Sequence, residues 1–133
     1  MGMAAAKQDD QVIAVDTHIV MVPAGPSLVP TPLPHPFSGK LQGNLASSVR
    51  IGGKPVAVVG STARNSPQHI ATPPGTTFQS PPSNEATIKV GSSSVHIEGN
   101  AAARQGDTAV TCNDPSDLPV GTVMATGTVN IGG

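Results

Sequence analysis

Apolar and polar side chains alternate through two stretches that nearly copy each other, SVRIGGKPVAVVGSTA at residues 48–63 and SVHIEGNAAARQGDTA at 94–109, with eight of sixteen positions identical. In an extended strand, Val49 and Ile51 share one face, as do Val95 and Ile97, while Arg50 and His96 lie opposite. A partial third copy, TVNIGG at residues 128–133, repeats the alternation with Val129 and Ile131 around Asn130. The valine and isoleucine face is predicted to point inward and His96 outward. Each full copy reads as a hairpin, turned by Gly52, Gly53, Lys54 and Pro55 in one and by Glu98, Gly99 and Asn100 in the other.

The second half of a copy also opens the chain, because Asp16 and Thr17 stand where Ser61 and Thr62, then Asp107 and Thr108, stand later. The threonines are spaced almost evenly, 62 − 17 = 45 and 108 − 62 = 46. A unit whose first half closes the chain and whose second half opens it is completed if the two ends meet. Three similar elements around a closed axis are therefore predicted.

Around these copies, residues 12–22 read as a first strand region and residues 1–11 as a flexible lead, leaving a single domain over 12–133. Residues 23–41 carry Pro23, Pro26, Pro30, Pro32, Pro34 and Pro36, a density expected of a rigid polyproline-like loop rather than a central strand. A second loop is expected over 61–84, with Pro67, Pro73, Pro74, Pro81 and Pro82. The expected architecture is all-β: a small conical fold of short strands with pseudo-threefold repeats and long proline-rich loops.

Composition sharpens this. The 15 Val, 7 Ile, 5 Leu and 2 Phe make only 29 of 133 residues, so the core is small and burial alone stabilises it weakly. Val and Ile supply 22 of those 29, which favours strands, and 15 Gly with 14 Pro interrupt any run long enough for a helix. A net charge of −1 and no basic cluster argue against a nucleic acid or an anionic membrane as partner, and no Trp or Tyr is present for stacking on bases. The opening MGMAAAKQDD has no apolar core of a signal peptide, and no run approaches 18 apolar residues, so synthesis in the cytosol is expected. One cysteine, Cys112, excludes an internal disulfide, and something else must staple so small a fold.

The candidate staple is a metal. His18, His69 and Cys112 follow the repeated Thr17, Thr62 and Thr108 by one, seven and four residues, so all three leave the same end of their copies. Around one axis they converge, joined by His35 from the adjacent stiff loop between Pro34 and Pro36. Three imidazoles and one thiolate form a closed tetrahedral set, the ligand type and number of a structural zinc site. The plain alternatives are solvated loop histidines and a cysteine acting as a small buried hydrophobe. Catalysis has little to rest on: Asp16, Thr17 and His18 carry no nucleophile motif, and no G-x-S-x-G is present. The residues therefore point to a protein that is not an enzyme, with a small metal-dependent enzyme using an open zinc site as the alternative.

The segments VRIGGKPVAVVGS and VHIEGNAAARQGDTAVTC resemble the proline-alanine-alanine-arginine, or PAAR, repeat, with Asn100, Ala101, Ala102, Ala103 and Arg104 where the name-giving residues usually stand. Ala101 replaces the usual proline, and the first copy reads Pro55, Val56, Ala57 and Val58, without the arginine. The resemblance implies a small cone capping the trimeric spike of a contractile injection system, a type VI secretion system or an extracellular phage-tail-like particle. It implies zinc held by three His and one Cys, here His18, His35, His69 and Cys112. It further implies a VgrG-type spike trimer as partner, one copy per trimer, docked through exposed strand edges. Transient contact with a target membrane, carriage on the injected particle and effectors bound rather than fused complete what it implies.

Overall fold

A computed structural model describes residues 2–133, and among them there is no helix. The alternating segments pair into β1 (Met3–Ala4), β2 (Gln11–Ala24), β3 (Ser27–Gly43), β4 (Ala46–Ile51), β5 (Lys54–Val56), β6 (Thr62–Asn65), β7 (Thr77–Phe78), β8 (Glu85–Ile88), β9 (His96–Ile97), β10 (Asn100–Ala101), β11 (Thr108–Thr111), β12 (Leu118–Met124) and β13 (Asn130–Ile131). Six of them close a small antiparallel barrel in the order β2-β3-β6-β8-β11-β12, and β12 returns to pair with β2. Closure removes the sheet's open edges where the barrel is complete. β7 adds to the part of β2 that runs beyond it, Val20 and Met21.

Below the barrel the three copies form the expected ring. Ala6 N–H donates to Ala103 O at 2.9 Å, Ala103 N–H to Ala57 O at 3.0 Å, and Ala57 N–H to Ala6 O at 2.9 Å, a closed triangle of main-chain hydrogen bonds. All three alanines are fully buried, because a threefold axis leaves room for little more than a methyl group from each copy. The chain then turns alike in each copy, capped by a side-chain oxygen three residues on. Lys7 N–H donates to Asp10 Oδ2, Val58 N–H to Ser61 Oγ and Arg104 N–H to Asp107 Oδ2, at 3.0, 3.0 and 2.7 Å.

That ring corrects the phase of the first copy. Asp10 and Gln11, not Asp16 and Thr17, stand where Ser61 and Thr62, then Asp107 and Thr108, stand later. The even spacing of threonines is coincidental, and the true spacings between the caps are 61 − 10 = 51 and 107 − 61 = 46. The two ends of the chain do meet. Met3 pairs with Ile131 and Ala4 with Asn130, making the third hairpin beside β4-β5 and β9-β10. Residues 2–11 are therefore not the expected flexible lead but a structural part of the ring, with Ala5 and Ala6 buried.

The hairpin turns put Gly52 and Gly53 at φ 59° and 81°, and Glu98 and Gly99 at 52° and 83°, the left-handed pair that matches strand twist. Their apolar face is only partly inward. Ile131 is buried, yet Val49 and Val129 are 39% and 45% exposed, because these hairpins hang below the barrel with little to cover them. His96 is exposed, as alternation requires.

The proline-rich stretch is the largest departure from expectation, since residues 27–43 form β3, the longest strand. It pairs with β2 without a register break from Gln11↔Lys40 to Ala24↔Ser27. Pro30, Pro32, Pro34 and Pro36 are two apart, so their missing N–H groups all lie on one edge. Opposite them on β2, Thr17, Ile19 and Met21 use their main-chain groups away from β3, toward Asn113, Asp114, Thr76 and Gln79. The prolines thus occupy the non-hydrogen-bonded pairs and take nothing from the ladder. The second expected loop keeps its irregular course over 66–76 and 79–84, but it begins as β6 and contains β7.

The interior is as thin as the composition implies: Phe37, Leu41, Ile88, Val12 and Val123 with a lining of alanines. Among the described residues no helix is long and apolar enough to cross a membrane.

Candidate metal centre

Each of the three copies sends an excursion above the barrel, and each excursion brings donors to one place. The β2-β3 hairpin supplies Asp16 and His18, two apart and so on one face of β2, and His35, which lies opposite Asp16 in the register. The segment between β6 and β7 supplies His69, and the residue after β11 is Cys112. With the corrected phase, His18 follows Gln11 by seven residues and His69 follows Thr62 by seven, so the two histidines occupy equivalent positions.

One donor atom from each of Asp16, His18, His69 and Cys112 lies within 4.8 Å of all the others. Asp16 is fully buried, and His18, His35 and Cys112 are 1%, 2% and 2% exposed. The three imidazoles pack pairwise, with ring centres 5.4 Å apart for His18 and His35, 5.0 Å for His18 and His69, and 5.5 Å for His35 and His69. Three imidazoles on one tetrahedral zinc, at Zn–N of about 2.0–2.1 Å, would put their ring centres about 5 Å apart. The rings therefore already stand at the spacing such an ion requires. Phe78 closes one side, its ring edge-on to His18 at 5.8 Å.

Hydrogen bonding separates the donors. Neither ring nitrogen of His18 has a hydrogen-bond partner, although both are buried; the Asp114 carboxylate approaches Nδ1 only to 3.4 Å, outside hydrogen-bond geometry. Leaving such a group unsatisfied costs about 1–3 kcal/mol, so a partner is called for. Asp16 takes the Thr111 hydroxyl on Oδ1 and, on Oδ2, the His69 ring at 2.9 Å and the Cys112 thiol at 3.4 Å. Asn65 Nδ2 lies 3.1 Å from His69 Nδ1, which holds that ring from its far side. His35 places Nδ1 2.9 Å from Leu33 O and accepts the Thr72 N–H on Nε2 at 3.1 Å. A carbonyl on Nδ1 fixes the tautomer that places the lone pair on Nε2, the usual outer support of a ligating histidine, and here the Thr72 N–H occupies that lone pair.

Burial dominates the electrostatics. It pushes the Cys112 thiol up to about 11, with the Asp16 carboxylate raising it further, against the Asn84 N–H and Ser83 hydroxyl that lower it. It also holds His35 below the usual histidine range, helped by His18 and His69 and opposed by the Leu33 carbonyl. Among the described residues no Lys or Arg pairs with Asp16, so this buried carboxylate has only hydroxyl, thiol and imidazole partners. A cation could complete such an environment, and imidazoles with a thiol are donors of the borderline-soft kind that zinc takes.

Of the residues picked out by sequence, His18, His69 and Cys112 enter the tight group, and His35 adjoins it through its ring. Asp16 stands out in the sequence only for its place in the repeat, not as a donor. The signal that points to it is its spacing from His18, since positions two apart in a strand share a face.

No curated protein matches the chain. A family model, the PAAR motif, matches residues 34–112, 79 of 133 residues, a span that holds His35, His69, Cys112 and both full repeat copies, 48–63 and 94–109. With a closed threefold ring beneath converging His and Cys side chains, and a family match over more than half its length, this chain belongs to the PAAR motif family.

Proposed function

We propose that this protein is the tip of the spike of a contractile injection system, one copy seated by its ring on a trimeric VgrG-type partner and closed at its apex by zinc. The observation that carries the reading is the triangle of Ala6, Ala57 and Ala103, with its three equivalent hairpins, built from a single chain. One copy can satisfy a threefold partner only by offering it three similar surfaces. The hairpins do so, and the exposed Met3, Val49 and Val129 beside them are the apolar area such a platform would cover. Their short strands leave main-chain groups free to continue a partner's sheets.

At the apex, His18, His69 and Cys112 would hold the zinc with His35, whose Nε2 would exchange the Thr72 N–H for the ion, and His18 would gain the partner its buried nitrogens lack. Three neutral imidazoles and one thiolate leave zinc with a net charge of +1, and Asp16 beside them supplies the balancing charge. Four protein ligands leave no position for a substrate water, which separates such a centre from a hydrolytic one. The role is structural: the ion would tie three excursions together where there is little apolar interior to do so. The chain would be made in the bacterial cytoplasm and carried outward on the particle.

The test is co-expression with a candidate spike trimer, read by native mass spectrometry, with elemental analysis of the chain alone. One chain per trimer and about one zinc per chain are expected, with Val49→Asp plus Val129→Asp abolishing the complex and Cys112→Ser lowering the zinc. Failure of the wild type to join any trimer ends the docking assignment, and wild-type protein without zinc ends the metal one.

A further inference from the structure

A bound ion can take only one of the two nitrogens of His18, and both are buried without a partner. The other nitrogen needs a group of the protein. Which group that is decides how the ring stands in the centre, because the hydrogen bond at one nitrogen of an imidazole sets where the proton sits and leaves the lone pair on the other.

The other two histidines engage Nδ1 with the surrounding wall. Nδ1 of His35 lies 2.9 Å from Leu33 O, and Nδ1 of His69 lies 3.1 Å from Asn65 Nδ2. Nε2 of His69 points instead to Asp16 Oδ2 at 2.9 Å, an oxygen that Cys112 Sγ also reaches at 3.4 Å. His18 differs in that its Nδ1 is still open. The carboxylate beside it is Asp114, whose Oδ2 stands 3.4 Å away. N–H···O bonds run at about 2.9–3.0 Å, so a displacement of about 0.5 Å with a small turn of the ring closes this one.

Asp114 is held in place for that contact. It follows Cys112 by two residues, and residues 113–114 run along the edge of β2 that faces away from β3. Asp114 N–H donates to Thr17 O at 2.8 Å, Thr17 N–H to Asn113 Oδ1 at 2.6 Å, and Ile19 N–H to Asp114 Oδ2 at 2.8 Å. These bonds bracket His18, since Thr17 and Ile19 are its two chain neighbours. The carboxylate is sheltered, its side chain 14% exposed, and among the described residues no Lys or Arg pairs with it. A carboxylate with one main-chain N–H on it keeps room for a second donor, and His18 Nδ1 is the side-chain nitrogen that pairs with it. The chain beyond β11 thus supplies a ligand, Cys112, and two residues later a support for another.

We propose that Asp114 is the positioning residue of the metal centre: its carboxylate accepts the His18 Nδ1–H, fixes the tautomer with the lone pair on Nε2 and aims that nitrogen at the ion. This rests on the zinc reading and adds to it the group through which His18 is held. The opposite arrangement, with Nδ1 on the ion, would leave Nε2 protonated and buried with no acceptor.

In the full-length chain labelled with nitrogen-15 and loaded with zinc alone, long-range proton–nitrogen spectra distinguish a protonated imidazole nitrogen from a metal-bound one. His18 should show a protonated Nδ1 and a bound Nε2. Asp114→Ala should lower zinc affinity about 10–100-fold in competition with a chromophoric chelator, and the His18 Nδ1–H should exchange faster with water. Asp114→Asn keeps an acceptor oxygen in the same place and should recover most of that affinity. A role confined to pinning residues 113–114 would lower the melting temperature of the metal-free chain but leave zinc affinity and the His18 Nδ1–H as in wild type; that result overturns the inference. So does a wild type whose His18 binds through Nδ1, a measurement that needs no variant to fold. Wild-type protein that takes up no zinc ends the metal reading as well, whereas zinc-loaded protein with His18 bound through Nδ1, or with unchanged affinity in Asp114→Ala, ends this inference alone.

Discussion

Protonation of Cys112 offers the sharpest quantitative test of the metal centre. Burial and the neighbouring Asp16 carboxylate raise its thiol from 9.0 to about 11 in the absence of metal. At pH 7 a thiolate ligand must therefore be formed against about four pH units, or about 5 kcal/mol at 1.36 kcal/mol per unit. Structural zinc supplies about 10–16 kcal/mol, so binding survives the cost but carries it as a steep pH dependence. Raising the pH removes the proton before the ion arrives, so affinity should rise about tenfold per unit from pH 7 to at least 9, with one thiol proton displaced per zinc. An ordinary thiol would level off near 8.5. The metal-free chain should behave in the opposite sense: a raised thiol stabilises the fold fully below about 9, and that contribution, about 2–3 kcal/mol for 11 − 9 = 2 units, is lost as pH rises toward 11. Competition for zinc against a chromophoric chelator at stepped pH measures the first effect, and urea unfolding of the metal-free protein measures the second. A flat affinity from pH 7 to 9, or a Cys112→Ser chain with the same slope as wild type, would refute the assignment of Cys112 as a ligand.

Other consequences can be checked on the same protein. Asp16→Asn keeps the shape but removes the buried charge between His69 and Cys112, and zinc affinity should fall about 10–100-fold, measured with the same chelator; an unchanged affinity would deny Asp16 its charge-balancing role. Ala57→Leu forces a larger side chain onto the threefold axis and should cost about 1–3 kcal/mol in urea unfolding, whereas unchanged stability would mean the axis has slack. Ser61→Ala strands the Val58 N–H and the Asn44 carbonyl, held at 3.0 and 2.9 Å, and should cost about 2 kcal/mol by the same assay. Replacing Pro30, Pro32 and Pro34 together by Ala restores three outward donors, and light scattering should then detect concentration-dependent association; a chain that stays monomeric would show that the prolines do not guard this edge.

The repeat was legible because its signals are local. Alternation in SVRIGG, SVHIEG and TVNIGG is a property of the strand itself, and the glycine turns need only φ > 0 at two positions. The split copy at the two termini carried the meeting of the ends, since neither half can bury its face alone. The first copy's register was also written in the chain, since AAKQDD matches AARQGD at four of six positions with Lys7 against Arg104, although it shares only the axial alanine with VAVVGS; hydrogen bonds between the copies make all three equivalent.

The same division runs through the site. That His18, His69 and Cys112 leave one end of the repeats could be inferred from chain order, as could the all-β class from valine, isoleucine, glycine and proline content. Pro30 to Pro36 as strand could not, because whether a missing N–H breaks a ladder depends on which edge it faces, and only the pairing with β2 settles that. Nor could the half-open base at Val49 and Val129, since burial is decided by what lies opposite in space. Periodicity and turn chemistry act within a few residues and are written in the chain; register, enclosure and the pairing of buried charge are set between distant segments, and exist only once those segments have met.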